Sequence, residues 1–417
     1  MGEYFPYGVC LVTAIVLFGI YHYRAEPQVV SLPIVFNVCA FLYFALGIFL
    51  KSLVGSAHIE LLFKLALYAV ISFNVGYMLL RNYRTSHKAI TVRERQIISG
   101  EFLWLLLGIA LLAEVIVIVG VGFNNFFFID RYERFPLLKQ YQSFLLVANI
   151  FIIILPVSMV RYLTLRDSNS ARIFYFCAAH NFLYAFLTVS RSGLLTFFVS
   201  LVYVAEAFGL IRKRTIVLFS IMMILSLFIV RGILYVLLLG DDTFMYANPG
   251  EIVNWIRNSE VLLDNHVTGK DLPENSYLLA LKSLVVISPA TDAPAEWFVK
   301  NFFRDAVPGY TRGFSGLLEG YLYFKEVGVI LHFFFIGVVF ALLQNLKTLY
   351  SFVLTLFFCY ATFRLFRSEA YNFVKYMQWY YVIPMAAIFI FDRMLRRAYG
   401  IGPRSTQLKS ASNFVEK

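Results

Sequence analysis

Apolar residues fill the chain in long blocks, broken by short polar or basic stretches. A membrane helix needs about 20 mostly apolar residues. On that criterion the pattern predicts eleven spans: Phe5–Tyr23, Val29–Leu50, Ile59–Leu80, Glu101–Phe123, Phe144–Val160, Arg172–Val189, Gly193–Leu210, Thr215–Leu239, Gly328–Leu343, Leu349–Phe366 and Met377–Phe391. One connection, Gly240–Phe314, is far longer than the others. Long connections inside compact proteins usually carry function or their own structure. Asn248-Pro249-Gly250 is a turn signal, and Ile252, Trp255, Ile256 and Leu263 follow on helical spacing. Asn275–Ile287 is apolar enough to lie against a bilayer, and Pro294 opens a further helix carrying Trp297, Phe298, Phe302 and Phe303. The prediction is an all-α polytopic membrane protein with a helical cap.

Composition agrees. The 417 residues are 60% hydrophobic and 15% charged, with mean hydropathy +0.72, against about 45–50% and about 25% in soluble domains. A single water-soluble core and a disordered chain are both excluded. The net charge of +11 does not call for nucleic acid, because basic residues collect in cytoplasmic loops. With the Arg81–Gly100 loop placed inside, nineteen Lys and Arg fall in cytoplasmic segments and eight in the short outer loops. The expected orientation is N-terminus periplasmic, C-terminus cytoplasmic. The long outer loop holds ten acids and six bases. The chain divides into residues 1–239 with eight spans, the 240–314 loop, 315–392 with an interfacial helix and three spans, and a 393–417 cytoplasmic tail. MGEYFPYG lacks the basic region and cleavage site of a signal peptide, so the first apolar run is expected to be retained. Cys10, Cys39, Cys177 and Cys359 all lie in apolar runs and read as small hydrophobes.

Walker, HExxH, GxGxxG and GxSxG motifs are absent, and the six histidines show no ligand spacing. No metal or cofactor is expected. Charge on the outer face gathers in two places. Ser190-Arg191-Ser192-Gly193 stands where a span starts from the outer side; a helix N-terminus beside an arginine suits an anion, and an anchoring, snorkelling arginine is the alternative. The second is Arg304 to Tyr321, with Arg304, Arg312 and Glu319. Guanidinium groups match pyrophosphate in bidentate fashion. Glu319, just inside a membrane-proximal helix, would be desolvated towards the general-base range. Lys325 and Glu326 read as interfacial charges. Arg231 fits the same outer anionic site, and Lys64 is close enough to its helix end to snorkel. Glu114 suits a protonated helix–helix hydrogen bond, and His180 a satisfied core position. Arg364 and Arg367 end a span on the outer side, either joining the site or anchoring at the interface. Asp241-Asp242 reads as a solvated helix end.

These two segments, Ser190-Arg191-Ser192-Gly193-Leu194-Leu195 and Phe314-Ser315-Gly316-Leu317-Leu318-Glu319-Gly320-Tyr321, flank a large outer loop. The arrangement resembles the bacterial O-antigen or oligosaccharide repeat-unit polymerases (Wzy-type), best from Phe144 to Phe391. The resemblance implies a C-type glycosyltransferase-like fold in the bacterial inner membrane. It implies polymerisation of undecaprenyl-pyrophosphate-linked repeat units at the periplasmic face, without nucleotide sugar or metal. The partners implied are that lipid-linked oligosaccharide, membrane lipid and a chain-length regulator protein. Arg191 matches the arginine of the family's Arg-Ser-Gly segment. Glu319 and Gly320 match its Gly-Glu-Leu-Tyr-like segment with the glycine after the glutamate instead of before it. In that frame Arg191, Arg304, Arg312 and Arg231 would neutralise the leaving pyrophosphate. Glu319, a loop acid or His266 would take the acceptor proton. Trp255, Trp297 and Tyr310 would contact sugar. A ligase of the same superfamily, transferring to lipid A, is the close rival; a lipid-linked oligosaccharide flippase or transporter is the rival from another class.

Overall fold

The computed structural model describes residues 5–53, 55, 57–82, 97–127, 129, 131–188, 191–218, 250–272, 275–285, 294–303, 314–346 and 348–398. Every regular element among them is helical. The order is α1 Phe5–Ala25, α2 Leu32–Ser52, α3 Ile59–Leu80, α4 Gly100–Val121, α5 Phe123–Phe127, α6 Arg131–Lys139, α7 Gln142–Leu165, α8 Ser168–Leu187 and α9 Arg191–Ala207. Then come α10 Gly250–Asp264, α11 Ser276–Val285, α12 Pro294–Phe302, α13 Gly316–Asn345, α14 Leu349–Leu365, α15 Ala370–Met377 and α16 Ile383–Ala398. A π-helical turn, Phe41–Leu46, interrupts α2, and another, Gln378–Val382, joins α15 to α16.

Polar residues start several helices by satisfying their free N–H groups. Ser99 accepts from Phe102, Asp167 from Ser170 and Ser315 from Leu318. Thr348 and Ser351 form a capping box at α14. Helix α2 is capped from a distance: Glu206, at the end of α9, accepts from the Val29 and Val30 N–H groups at 2.5 and 3.0 Å.

Among the described residues, six helices are long and apolar enough to cross a membrane: α1, α2, α3, α4, α7 and α13. Eleven such spans were expected. The expected span Thr215–Leu239 lies largely outside the described residues. The other four form helices but fall short individually. Helices α9 and α14 have 17 residues each, about 25 Å of rise. Helix α8 carries Asn169, Arg172, His180 and Asn181, and α16 ends in Asp392, Arg393, Arg396 and Arg397.

Among the described residues, the most extensive interface joins α3 and α13. It has no room for side chains at its centre: a Cβ on Gly76 would strike the Phe334 carbonyl, and one on Gly337 the Phe73 carbonyl. Small residues let membrane helices approach this closely. A stacked pair, Phe36 on Phe73 at 3.5 Å between centroids, brings α2 against the same seam.

One end of the bundle is tied by charge. Arg81 grips Glu26 with two 2.9 Å contacts and also bonds Asn345; Lys213 donates to the Glu26 carbonyl at 2.7 Å. Arg161 donates to the Ile98 carbonyl, and Arg396 pairs with Asp392. The opposite end carries the cap. There Lys51 pairs with Glu260 of α10 at 3.0 Å and His58 with Asp264 at 2.8 Å. Leu262, Leu272, Phe298, Phe314, Leu318 and Leu322 form a separate small core for the cap.

Candidate functional site

Helix α13 is two helices. Phe324 (φ −139°) and Lys325 (φ 52°) leave helical geometry, and the chain folds back on itself. Gly316 sits against the His332 ring, and Gly320 and Gly328 touch backbone to backbone. A side chain at either glycine would drive the arms apart. The membrane-length arm is therefore residues 326–345, about 30 Å of helix. Residues 316–323 form a short arm outside it, locked to the cap: Gly269 N–H bonds the Leu322 carbonyl, and Ser276 N–H bonds the Tyr323 hydroxyl at 2.9 Å.

Glu319 rides on the short arm and is fully buried. Its Oε2 accepts from the N–H of Ala370, the first residue of α15, at 2.7 Å. Glu369 immediately precedes that helix and is also fully buried. Its Oε1 accepts from Asn372, while its Oε2, like Oε1 of Glu319, is buried with no hydrogen-bond partner among the described residues. Glu319 thus serves the N-terminus of α15, where free N–H groups and the dipole favour negative charge. Around them Tyr371 N–H reaches Ser276 Oγ at 3.4 Å, and Tyr277 Oη pairs with His332 Nδ1 at 2.8 Å. Burial pushes Glu319 up to about 7; Ser276 and the Ala370 N–H, which favour the charged form, offset this only in part. Burial, reinforced by the neighbouring Glu319, pushes Glu369 up to about 8. The result is a polar seam sealed between cap, hairpin and the α14–α15 corner.

Helix α9 starts at Arg191. At its other end Tyr203 packs against Phe352, early in α14, and Glu206 holds the start of α2. Helices α9 and α14 are therefore antiparallel, and the Arg191 backbone lies at the cap end of the bundle. The Arg191 side chain lies outside the described residues, as do all of Arg231, Arg304, Tyr310, Arg312, Asp241 and Asp242. Trp255 lies on α10 against the bundle. It is 2% exposed, donates its indole N–H to the Tyr43 carbonyl at 3.2 Å and packs edge-on against Phe44. Its neighbour Ile256 is fully buried as well. Trp297 is half-buried against Phe302 at the edge of the cap core. His266 is exposed, with φ 51°, at the turn ending α10.

Glu114 does make a helix–helix hydrogen bond, and its partner is His180, at 2.6 Å between α4 and α8. Lys64 meets Glu326 at 3.4 Å. Sequence reading missed Glu369, Ser276 and Asn372. Only Glu369 left a local trace: an acid directly before the helix-forming run Ala370–Met377.

No protein-family model, curated protein or solved structure matches the chain.

Proposed function

We propose that the chain is a membrane glycosyltransferase that polymerises lipid-pyrophosphate-linked oligosaccharide repeat units at the cap end of the bundle. The observation that carries this reading is the meeting, at one end of an apolar bundle, of a helical cap, a buried carboxylate at its base and the N-terminal end of the arginine-headed helix α9. The charge-paired opposite end, with Arg81, Arg161, Lys213 and Arg396, supports a cytoplasmic placement of that end. The cap then faces the periplasm.

In this reading the acceptor hydroxyl attacks the anomeric carbon of the chain held on the lipid pyrophosphate. The C–O bond to the pyrophosphate breaks as the new glycosidic bond forms, and attack from the opposite face inverts the centre. The acceptor proton passes to Glu319, whose raised affinity for protons suits a base working near neutral pH. Because Glu319 is sealed, the 316–323 arm must part from α15 before substrate reaches it. Arg191 stabilises the departing pyrophosphate charge.

The test is purified protein incubated with lipid-linked repeat units and no nucleotide, with and without EDTA. A ladder of chain lengths is expected in both tubes; its absence overturns the reading. Arg191→Ala should insert normally and lose the ladder. A deletion strain separates the ligase: a polymerase mutant keeps one repeat unit on the lipid A core, a ligase mutant none.

A further inference from the structure

Six acids are buried among the described residues, and four of them are answered. Glu26 has Arg81, Glu114 has His180, Asp392 has Arg396, and Glu206 accepts from the Val29 and Val30 N–H groups. Glu319 and Glu369 are the exceptions. Both are fully buried, and neither has an ion pair among the described residues. Each keeps one carboxyl oxygen shut off from solvent without a partner, Oε1 of Glu319 and Oε2 of Glu369. The two carboxyls meet at one turn of helix. Glu319 reaches the N–H of Ala370, the residue next to Glu369, and Glu369 reaches the side chain of Asn372. A helical turn is about 5.4 Å, and the charge of Glu319 is felt at Glu369.

The elements packed around the pair bring phenols and an imidazole. Tyr277 of α11 is bonded to His332 of the long arm at 2.8 Å, and Tyr323 of the short arm accepts from the Ser276 N–H at 2.9 Å. Burial raises both phenols, Tyr323 to about 12, so they stay neutral. The nearby cations are placed elsewhere. Arg364 at the end of α14 lies over Tyr376, Arg367 beside Phe363, Lys375 of α15 over Tyr371 and Lys325 over Tyr321. Lys282 of α11 and both Glu296 and Lys300 of α12 are exposed. Two carboxylates buried together without a cation repel and are poorly solvated, so both cannot ionise cheaply. A proton on one carboxyl supplies the missing donor, and the free oxygen of the other is its acceptor.

We infer that Glu319 and Glu369 share one proton, and that this proton latches the 316–323 arm onto the first turn of α15. Glu369 is a positioning residue in this device, holding Glu319 in the closed seam. When the proton leaves to a base in solvent, both carboxyls are charged, the bond between them is gone and the arm parts from α15. The raised proton affinities agree with this direction. The closed arm binds the proton more tightly than the open one, so closure is complete at low pH and is lost as pH rises through about 7 to about 8. The latch stands on the geometry above. Only its use, uncovering Glu319 for substrate, rests on the proposed function.

The experiment uses full-length protein in neutral detergent. Hydrogen–deuterium exchange is followed by peptide at about pH 6 and about pH 9 and corrected for the intrinsic pH dependence of amide exchange. Above its titration, one released proton weakens closure about tenfold per pH unit. In wild type the protection of residues 314–323 and 370–377 should therefore fall at least about tenfold between the two conditions, while α4 keeps its protection. In Glu369→Gln the side-chain amide donates without a titrating proton, so both segments should stay protected throughout. Glu319→Gln should do the same from the other side. Wild-type protection that is equal at both pH values, or that is lost equally in α4, overturns the inference. So does a glutamine variant that responds to pH as wild type does. If neither variant folds, the wild-type profile decides alone by the same criterion. The ladder assay on the same preparations separates the two ideas. A pH-dependent arm without a ladder sinks the polymerase alone, and a ladder with a pH-independent arm sinks the latch alone.

Discussion

At the residue scale, Glu319 joins the hairpin arm to α15 by accepting from the Ala370 N–H, and Glu369 lies buried directly before that helix. Their proton affinities, about 7 and about 8, lie above an unfolded glutamate at about 4.3. A carboxyl raised in this way binds protons more tightly in the folded state, so its contribution to stability is complete below about pH 4 and is lost as pH climbs through 7 to 8. The melting temperature in detergent should therefore fall between pH 5.5 and 8.5, and Glu319→Gln should flatten that slope. A wild-type profile flat over this range removes the argument. The sequence marked Glu319 by its place in a short motif but said nothing of Glu369, because their pairing depends on a turn 50 residues downstream.

At the element scale, α3 and α13 are legible as apolar runs from the sequence, whereas their contact is not. Gly76 and Gly337 look like ordinary glycines in a span until Phe334 and Phe73 are seen pressed on them. Gly337→Leu must shift backbone, and overpacking of this kind costs about 1–3 kcal/mol. A lower melting temperature is expected for it, with Gly108→Leu, where nothing lies within 4 Å, as the neutral control. Equal melting of the two variants would count against a close-packed α3–α13 seam. The break at Phe324–Lys325 was half legible: the sequence separated an amphipathic stretch, Leu317 to Val327, from a span starting at Gly328, but not the reversal that folds one onto the other.

For the whole molecule, the described ends differ in chemistry: arginine–carboxylate clasps at one, cap and sealed carboxylates at the other. If the cap is periplasmic, Asn265→Cys, on the exposed turn after α10, should react with an impermeant maleimide in intact spheroplasts. Arg397→Cys, exposed near the end of α16, should react above the wild-type background only after permeabilisation. The reverse pattern inverts the topology and removes the periplasmic site.

Apolar run length and helix start signals act locally, so the sequence by itself determined the helices: the long apolar ones, the three short helices of the cap and the Ser99, Asp167 and Ser315 caps can all be traced to neighbouring residues. Burial and partnership depend on contacts between residues far apart in the chain. Only the tertiary structure could turn Trp255 inward, join Glu114 to His180, set Glu206 on the start of α2 and bring Arg364 over the Tyr376 ring.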